Sequence, residues 1–248
     1  MAIELRLPDA FHLSERLNGV CLISAVKARR LGLGLLVASL ISCPVAAADG
    51  VAQPFRAHAA KRANFHHEPA SWNAIQVADW VVDSGDNQGM PFVIVDKTSA
   101  KVFVFHGDGS LRGAAAALIG LALGDESIPG IGDKELANIR PGERTTPAGR
   151  FVASLDRNSR GKDILWVDYD SAVSLHPVLT SNLRERRLER LTTPTPLDNR
   201  ISYGCINVPA KFYSNVVNPA FTGTNGIVYV LPEIRTTREI FPAYYEVL

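Results

Sequence analysis

The sequence has 248 residues, of which 46% are hydrophobic and 21% are charged, a balance that excludes a disordered or collagen-like chain. Basic and acidic residues number 26 and 25, so the overall charge gives no indication of a nucleic-acid partner. Three cysteines are too few for a disulfide-stapled scaffold or an all-cysteine zinc site. One well-cored domain with shorter flanking segments fits this length.

Residues 1–48 have the pattern of a secretory signal peptide. Basic residues precede a short apolar run, residues 31–41, and small residues follow it, which places the cleavage site before Asp49. The basic region is long, and residues 1–25 are expected to precede the true start codon. The pattern predicts an exported protein of the periplasm or cell envelope.

Two alternatives to a cleaved signal stay open. The segment is also compatible with an uncleaved membrane anchor, although its apolar run is shorter than the roughly 20 residues of a spanning helix. The sequence before Cys43 resembles a lipobox, which would make Cys43 a lipidated residue. Contact with a membrane is therefore expected only if the signal is retained or Cys43 carries lipid.

Residues 49–90 are interpreted as an N-terminal arm and linker. The segment lacks sustained periodicity and ends in the turn-rich sequence 84–89. Its histidines match no metal-ligand spacing, which favours a solvated arm. The main domain is expected to span residues 91–232, with a tail at 233–248.

The pattern favours β-structure from Phe92 onwards. Residues 92–96 and 101–105 are β-branched and aromatic runs separated by a connection of hairpin length. Later apolar runs are also typical of strands: 114–123, 151–155, 165–167, 173–176 and 226–231. The predicted fold class is mainly β, with mixed sheets and a few short helices.

Only two segments look helical. Asn182 is a candidate N-cap for a helix over residues 183–191. Pro209 is a candidate first residue of a second helix, which Asn218-Pro219 would end.

Cys205 is the one cysteine outside the predicted signal peptide. A lone thiol in an exported protein is a candidate reactive group. It lies in the segment 202–207, just before the helix predicted from Pro209, and a thiolate near a helix N-terminus has a lowered pKa. Such a nucleophile needs a base, and His176 at a predicted strand end is the best candidate. A small buried cysteine would give the same pattern, so these residues alone leave catalysis open.

These residues resemble the L,D-transpeptidases, exported cysteine enzymes of the bacterial cell wall. The family signature is a histidine at a strand end, followed downstream by Ser/Thr-His-Gly-Cys. Its counterparts here are His176 and Ser202-Tyr203-Gly204-Cys205. A second family feature, Thr-Pro-x-Gly-x-Phe, stands at residues 146–151. The likeness extends to two loops, residues 124–133 and 140–144.

The resemblance covers about residues 92–232 and implies a sandwich-like β fold. It implies that Cys205 attacks a carbonyl of a peptidoglycan stem peptide and forms a thioester, with His176 as general base and acid. An acceptor amine then resolves the thioester, giving a cross-link or attaching a protein to the wall. The implied partners are donor and acceptor stem peptides, without nucleic acid, metal or organic cofactor.

The same resemblance implies a supporting role for the residues around the thiol. Backbone N–H groups of Tyr203, Gly204 and Cys205 are expected to face the oxyanion, and Ser202 belongs to the same segment. Tyr203 departs from the family, which has histidine there, but it can still donate a hydrogen bond. Pro177 also departs from the small residue usual after the base, and it keeps a carbonyl that can orient the imidazole. These departures predict altered substrate geometry or rate.

Substrate binding is expected to involve arginines, because guanidinium binds carboxylates in a bidentate manner. Arg144 and Arg200 are candidates, and Asn207 either joins them or fixes the turn after Cys205. The 28 residues between base and nucleophile exceed the compact family motif, which predicts an inserted charged helix at 182–191. The insertion is either a solvated face or a lid over the site.

The sequence is compatible with three functions. The first is an L,D-transpeptidase. The second is an L,D-carboxypeptidase or cross-link hydrolase, in which water replaces the acceptor amine. The third is a non-catalytic peptidoglycan-binding module, in which Tyr203 marks lost activity. The sequence does not specify the acceptor or the oligomeric state.

Overall fold

The structure is a computed structural model that describes residues 59–158 and 161–248. The predicted signal peptide and the first part of the predicted arm lie outside the described residues. None of the helices in the described ranges is long and apolar enough to cross a lipid bilayer.

The described chain contains ten strands in two sheets. Their bounds are β1 Phe92–Asp96, β2 Lys101–Phe105, β3 Leu111–Ala116, β4 Ile119–Gly120, β5 Gly149–Arg157, β6 Asp163–Asp168, β7 Val173–Pro177, β8 Arg200–Ser202, β9 Ile206–Val208 and β10 Gly226–Val230. Eight strands form a sheet in the order β3-β2-β1-β10-β5-β6-β7-β9, and β4 pairs with β8. In the large sheet, β1–β10 and β7–β9 are parallel and the other neighbours are antiparallel. The predicted fold class, mainly β with mixed sheets, is confirmed.

The helices of the described ranges are short, apart from the first. Their bounds are α1 Trp72–Ser84, α2 Arg187–Arg190, α3 Ala210–Phe212, α4 Asn218–Phe221 and α5 Thr237–Ile240. A π turn, Tyr213–Val217, joins α3 to α4. Single 3₁₀ turns occur at Ile131–Asp133, Leu136–Asn138, Pro141–Glu143, Leu183–Glu185 and Leu197–Asn199.

Apolar side chains cover both faces of the large sheet. In β1, Phe92 and Ile94 join one buried cluster, whereas Val93 and Val95 join another, because successive strand residues point to opposite faces. All five residues of β1 are buried, which explains the unbroken apolar run of its first four residues. The segment from α3 to α4 contributes to the cluster of Val93, and α1 with the C-terminal residues contributes to that of Phe92.

Helix α1 corrects the interpretation of residues 49–90 as an unpacked arm and linker. Ser71 caps the helix by accepting a backbone N–H of its first turn at 3.1 Å, and Gly85 ends it with a φ of 69°. Trp80 is fully buried and packs edge-on against Tyr229, with 6.0 Å between ring centroids. The helix is therefore part of the core.

A buried carboxylate explains why α1 has no clear periodicity in the sequence. Asp79 lies on the buried side of the helix. It accepts a hydrogen bond from the guanidinium of Arg62 at 2.9 Å and one from the backbone N–H of Ala63 at 2.9 Å. Buried polar groups are tolerated when they are paired in this way.

The segment predicted as a C-terminal tail also packs into the core. Phe241, Tyr244 and Val247 are buried. The rings of Phe241 and Tyr244 lie 6.0 and 5.9 Å from that of Trp80. Residues 233–248 and α1 thus stabilise each other on one face of the sheet.

The two predicted helices form with altered bounds. The Asn182 side chain accepts the backbone N–H of Arg184 at 3.2 Å, but the segment divides into a 3₁₀ turn and α2 at Arg186, which has a φ of 50°. The second helix does not end at Pro219, which instead lies in the first turn of α4. The π turn, Tyr213–Val217, precedes it directly.

Candidate active site

The parallel strand pair β7–β9 brings the candidate residues together. Its register places His176 beside Asn207 and Leu175 beside Ile206. Leu175 and Ile206 are fully buried in the core. Because side chains alternate along a strand, His176 and Asn207 lie on the opposite face. Strand alternation therefore separates a core face from a polar face at this edge of the sheet.

The thiol of Cys205 lies on this polar face, one residue before β9. Its Sγ is 3.6 Å from Ser174 Oγ and 3.6 Å from the carbonyl oxygen of Ala172. The cysteine is free and partly exposed. Burial raises its pKa, but hydrogen bonding to His176, the imidazolium charge and the Ser174 contacts outweigh burial and lower the pKa of Cys205 below its ordinary value. This environment favours the thiolate.

The imidazole of His176 is held by the residue that follows it. Nδ1 lies 2.8 Å from the carbonyl oxygen of Pro177. A carbonyl only accepts, so Nδ1 carries a proton and Nε2 is left to accept one. Burial lowers the pKa of His176, but its hydrogen bond and charge interaction with Cys205, and its bond to Pro177, raise the pKa above its ordinary value. The two shifts bring the pKa values of thiol and imidazole closer together, which eases transfer of the thiol proton to His176.

The expected role of a helix dipole at the thiol is wrong. Cys205 is followed by strand β9, and helix α3 begins only at Ala210. Helix-dipole effects fall off within the first turn. The influences that lower the pKa of Cys205 come from His176 and Ser174.

Two hydroxyls hold the loop before Cys205. Ser202 Oγ donates to the carbonyl oxygen of Cys205 at 2.6 Å and accepts the backbone N–H of Gly204 at 3.1 Å. Thr146 Oγ1 donates to the carbonyl oxygen of Gly204 at 2.7 Å and accepts the backbone N–H of Gly120 at 2.8 Å. The Thr-Pro-x-Gly-x-Phe segment thus supplies a hydroxyl that fixes the nucleophile loop, a role that its sequence pattern does not reveal.

Gly204 is required by its backbone conformation and by a close contact. Its φ is 129°, and an added Cβ would lie 2.8 Å from the carbonyl oxygen of Thr145. Its N–H is bound to Ser202, so it does not face a substrate oxygen as expected. Of the expected oxyanion donors, the N–H groups of Tyr203 and Cys205 remain.

Tyr203, two residues before Cys205, forms a stacked pair with Arg144. The guanidinium carbon of Arg144 lies 3.9 Å from the centroid of the Tyr203 ring, within cation–π range. Nε and Nη2 of Arg144 donate to the carbonyl oxygen of Ile139 at 3.3 and 3.1 Å. Tyr203 is 36% exposed, so the pair borders solvent two residues from Cys205.

Arg200, a candidate substrate ligand, is already bound to groups of the protein. Its guanidinium forms an ion pair with Glu233, whose side chain is buried. It also donates to the carbonyl oxygens of Gly120 and Ala122, each at 3.4 Å. Arg200 therefore joins β4 to the segment after β10, and its charge is balanced inside the protein.

Asn207 is buried behind the reacting pair, and of its two expected roles its contacts fit that of fixing the turn after Cys205. Its Nδ2 lies 3.3 Å from His176 Nε2 and 3.3 Å from the carbonyl oxygen of Cys205. Its Oδ1 accepts from Arg187 at 2.6 Å. Neither this arginine nor Ser174 stood out in the sequence, although Ser174 shares the alternation of the strand with His176.

As for metals, residues 59–158 and 161–248 contain no group of three His, Cys, Asp or Glu side chains arranged to hold an ion. The polar face of β7–β9 instead offers a thiol, an imidazole and an amide.

No protein-family model matches the chain, and no curated protein matches it. Among solved structures, it is similar to the helical cell shape determining protein Pgp2 from Campylobacter jejuni, with 16% identity, a TM-score of 0.39, and coverage of 59% of this chain and 49% of that chain. It is also similar to an L,D-transpeptidase from Mycobacterium tuberculosis H37Rv, with 16% identity, a TM-score of 0.34 and 57% coverage of each chain.

A third similar structure is an L,D-transpeptidase mutant from Enterococcus faecium, with 16% identity, a TM-score of 0.31, and coverage of 57% of this chain and 50% of that chain. The chain spans about half the length of Pgp2 and of the Enterococcus faecium protein.

Proposed function

We propose that this protein is an exported cysteine acyltransferase of the L,D-transpeptidase type, acting on peptidoglycan stem peptides. The observation that carries the proposal is the placement of Cys205 and His176 on one polar face of β7–β9 by the strand register. The direction of their pKa shifts, lowered for the thiol and raised for the imidazole, supports it. Perturbed titrations in a matched nucleophile and base are typical of acyl-transfer sites. The sequence resemblance supplies the substrate class.

The proposed first half-reaction forms a thioester. His176 Nε2 takes the thiol proton, and Cys205 Sγ attacks the carbonyl carbon of the peptide bond before the terminal D-amino acid. The C–N bond of the adduct breaks, and the imidazolium gives its proton to the leaving amine. The backbone N–H groups of Tyr203 and Cys205 are the proposed oxyanion donors, each worth about 3–4 kcal/mol in comparable sites.

The second half-reaction releases the product. An acceptor amine attacks the thioester carbonyl carbon, a new C–N bond forms, the C–S bond breaks, and the amine loses a proton to His176. If water attacks in place of the amine, the product is a shortened stem peptide, and the protein is a carboxypeptidase or cross-link hydrolase on the same site.

Arg144 is the proposed ligand of a donor carboxylate. Two of its guanidinium nitrogens are held by Ile139, and its Nη1 makes no hydrogen bond within the described residues. Stacking on Tyr203 fixes the plane of the guanidinium, which suits bidentate binding of a carboxylate. This arrangement gives the replacement of the family histidine by Tyr203 a role in substrate binding.

Incubation of the purified protein with a disaccharide-tetrapeptide, followed by mass spectrometry, tests the proposal. We expect cross-linked dimers and free D-amino acid from the wild type, and neither from Cys205→Ala. Ser214→Ala, which alters an exposed serine, is the matched control and should retain activity. Turnover by Cys205→Ala would contradict the assignment, and tripeptide without dimer would identify a hydrolase.

Covalent trapping separates an enzyme from a binding module. One solved L,D-transpeptidase structure contains imipenem. We expect imipenem to add its mass to the wild type at Cys205 and to leave Cys205→Ala unmodified. Stem-peptide binding without an adduct or turnover would favour the binding module.

Export is proposed from the sequence of residues 1–48. The N-terminus of protein recovered from the cell envelope of a Gram-negative host, determined by mass spectrometry, tests it. We expect a chain that begins at Asp49. Lipid on Cys43 would identify a lipoprotein signal instead, and a retained segment would identify an uncleaved anchor.

A further inference from the structure

One arginine of the inserted segment turns inward. The side chain of Arg187 is 11% exposed, whereas that of the preceding Arg186 is 71% exposed. Arg187 Nε donates to Glu185 at 2.5 Å, and Nη1 donates to Asn207 Oδ1 at 2.6 Å. The insertion is thus connected to strand β9 behind the reacting pair.

The chemistry of its partners fixes the orientation of the Asn207 amide. A guanidinium only donates, so the amide atom that faces Arg187 is the oxygen. The NH₂ group then faces the carbonyl oxygen of Cys205 and Nε2 of His176. The carbonyl oxygen of Cys205 can only accept a hydrogen bond, so this contact independently requires the same orientation of the Asn207 amide.

This orientation has a consequence for the proton on His176. The Asn207 NH₂ group donates to Nε2 while the imidazole is neutral. Once Nε2 carries a proton, two donors face each other, and the amide cannot turn its oxygen towards the imidazolium because Arg187 holds that oxygen. Burial and the positive charge of Arg187 both act to lower the pKa of His176, against the raising influences of Cys205 and Pro177, which together are larger. The facing donors and the charge of Arg187 both make the imidazolium a stronger acid.

We propose that Arg187 is a positioning residue, which acts through Asn207 to prepare His176 for passing its proton to the leaving amine. This inference rests on the proposed roles of Cys205 and His176. The titratable and charged groups that act on His176 are Cys205, from the loop before β9, and Arg187, from the insertion. Glu185 pairs with Arg187. The insertion therefore contributes to proton transfer through this one side chain.

Arg187→Met in the full chain tests the proposal, because methionine removes the donors and the charge but keeps an unbranched apolar stem. We expect the titration midpoint of His176, followed by NMR of its ring carbon Cε1, to shift upwards. We expect kcat to fall about 100-fold with little change in KM, as for other losses of positioning. Arg187→Lys keeps a charge and a donor and should show a smaller shift in the same direction.

Arg184→Met is the matched control, since Arg184 is exposed on the same segment, and its His176 midpoint should equal that of the wild type. An unchanged midpoint in Arg187→Met would overturn the proposal. An equal shift in Arg184→Met would also overturn it, because the effect would then reflect net charge. If circular dichroism shows that Arg187→Met does not fold, the absence of any shift in Arg187→Lys decides against the proposal.

The NMR titration requires no stem peptide. Its result therefore tests the Arg187 inference even if the protein has no activity on peptidoglycan. If the His176 midpoint rises in Arg187→Met but the wild type has no turnover, the result counts against the proposed function alone. If the wild type turns over stem peptide but the midpoint does not shift, the result counts against the inference alone.

Discussion

Ser174, in β7, lies opposite Cys205, one residue before β9, with Oγ and Sγ 3.6 Å apart. The hydroxyl lowers the thiol pKa by hydrogen bonding. We expect Ser174→Ala to raise that pKa and to slow alkylation by iodoacetamide at pH 7 about fivefold, the equivalent of one hydrogen bond of about 1 kcal/mol. The rate of alkylation is measured by quenching the reaction at intervals and analysing the protein by mass spectrometry. Ser214→Ala is the control, and an equal rate in Ser174→Ala would contradict the contact.

His176→Ala should shift thiolate formation to higher pH. Hydrogen bonding to His176 and the imidazolium charge lower the pKa of Cys205, so the wild-type thiol ionises below its ordinary range. Removing the imidazole removes both influences, and the midpoint of thiolate formation, followed by ultraviolet absorbance, should rise. His66→Ala changes an exposed histidine and should leave the midpoint unchanged. A midpoint in His176→Ala at or below that of the wild type would disprove the coupling.

Thr146→Val should loosen the nucleophile loop. Valine has the shape of threonine but cannot bond the carbonyl of Gly204 or the N–H of Gly120, and both contacts are buried. Leaving buried partners unsatisfied costs about 1–3 kcal/mol each, so the free energy of unfolding and kcat should both fall. Urea denaturation and turnover assays measure the two effects. Thr222→Val removes an exposed hydroxyl contact and should change neither by a comparable amount.

The buried ion pair of Lys97 and Asp125 lies behind the same loop. Lys97 Nζ donates to Asp125 at 2.8 Å and to the carbonyl oxygen of Thr146 at 3.0 Å. Asp125 also accepts backbone N–H groups from residues 233–235. Burial raises the pKa of Asp125, but these hydrogen bonds outweigh it and lower the pKa to about 2.

This shift predicts how stability depends on acid. The folded-state pKa of Asp125 is below its unfolded value, so its contribution is fully present above about pH 4 and is lost as the pH falls towards 2. Asp125→Asn should lower the free energy of unfolding at pH 7 by about 3–5 kcal/mol and weaken its pH dependence in that window. Urea titrations between pH 2 and 7 measure both, with the exposed Asp133→Asn as control. Equal acid dependence in wild type and Asp125→Asn would refute the assignment.

Phe241→Ala should destabilise the fold, because residues 233–248 pack in the core. The ring is 3% exposed and lies against Trp80. Truncation of a buried phenylalanine costs about 3–5 kcal/mol, measurable as a lower free energy of unfolding in urea. Leu248→Ala, at a residue that is 98% exposed, should have almost no effect. If both variants were equally stable, the segment would be a loose tail after all.

The strands could be predicted from local sequence because their residues alternate between two buried faces. The runs at 92–96 and 101–105 have the same bounds as β1 and β2. Helix α1 could not be predicted in this way. Its buried Asp79 looks like a surface residue until Arg62, 17 residues earlier, is brought beside it.

The residues of the candidate site likewise differ in whether local sequence could predict them. Cys205 and His176 stand out by residue type and motif. Arg187 does not, since it is one of several arginines in a charged segment. Its inward turn depends on Asn207, a partner 20 residues later. Contacts between residues this far apart form only in the folded chain, so the local sequence pattern does not predict them.

Because of the parallel register of β7 and β9, the geometry of His176 and Cys205 does not depend on the length of the chain that connects the two strands. Backbone pairing of His176 with Asn207 sets the spacing of the imidazole and the thiol directly, so the connection from residue 178 to residue 199 can change in length without moving either group. Variation in that connection is therefore a route to new donor or acceptor preference on an unchanged reacting pair. The requirement is that each new connection still delivers a donor to the Asn207 oxygen.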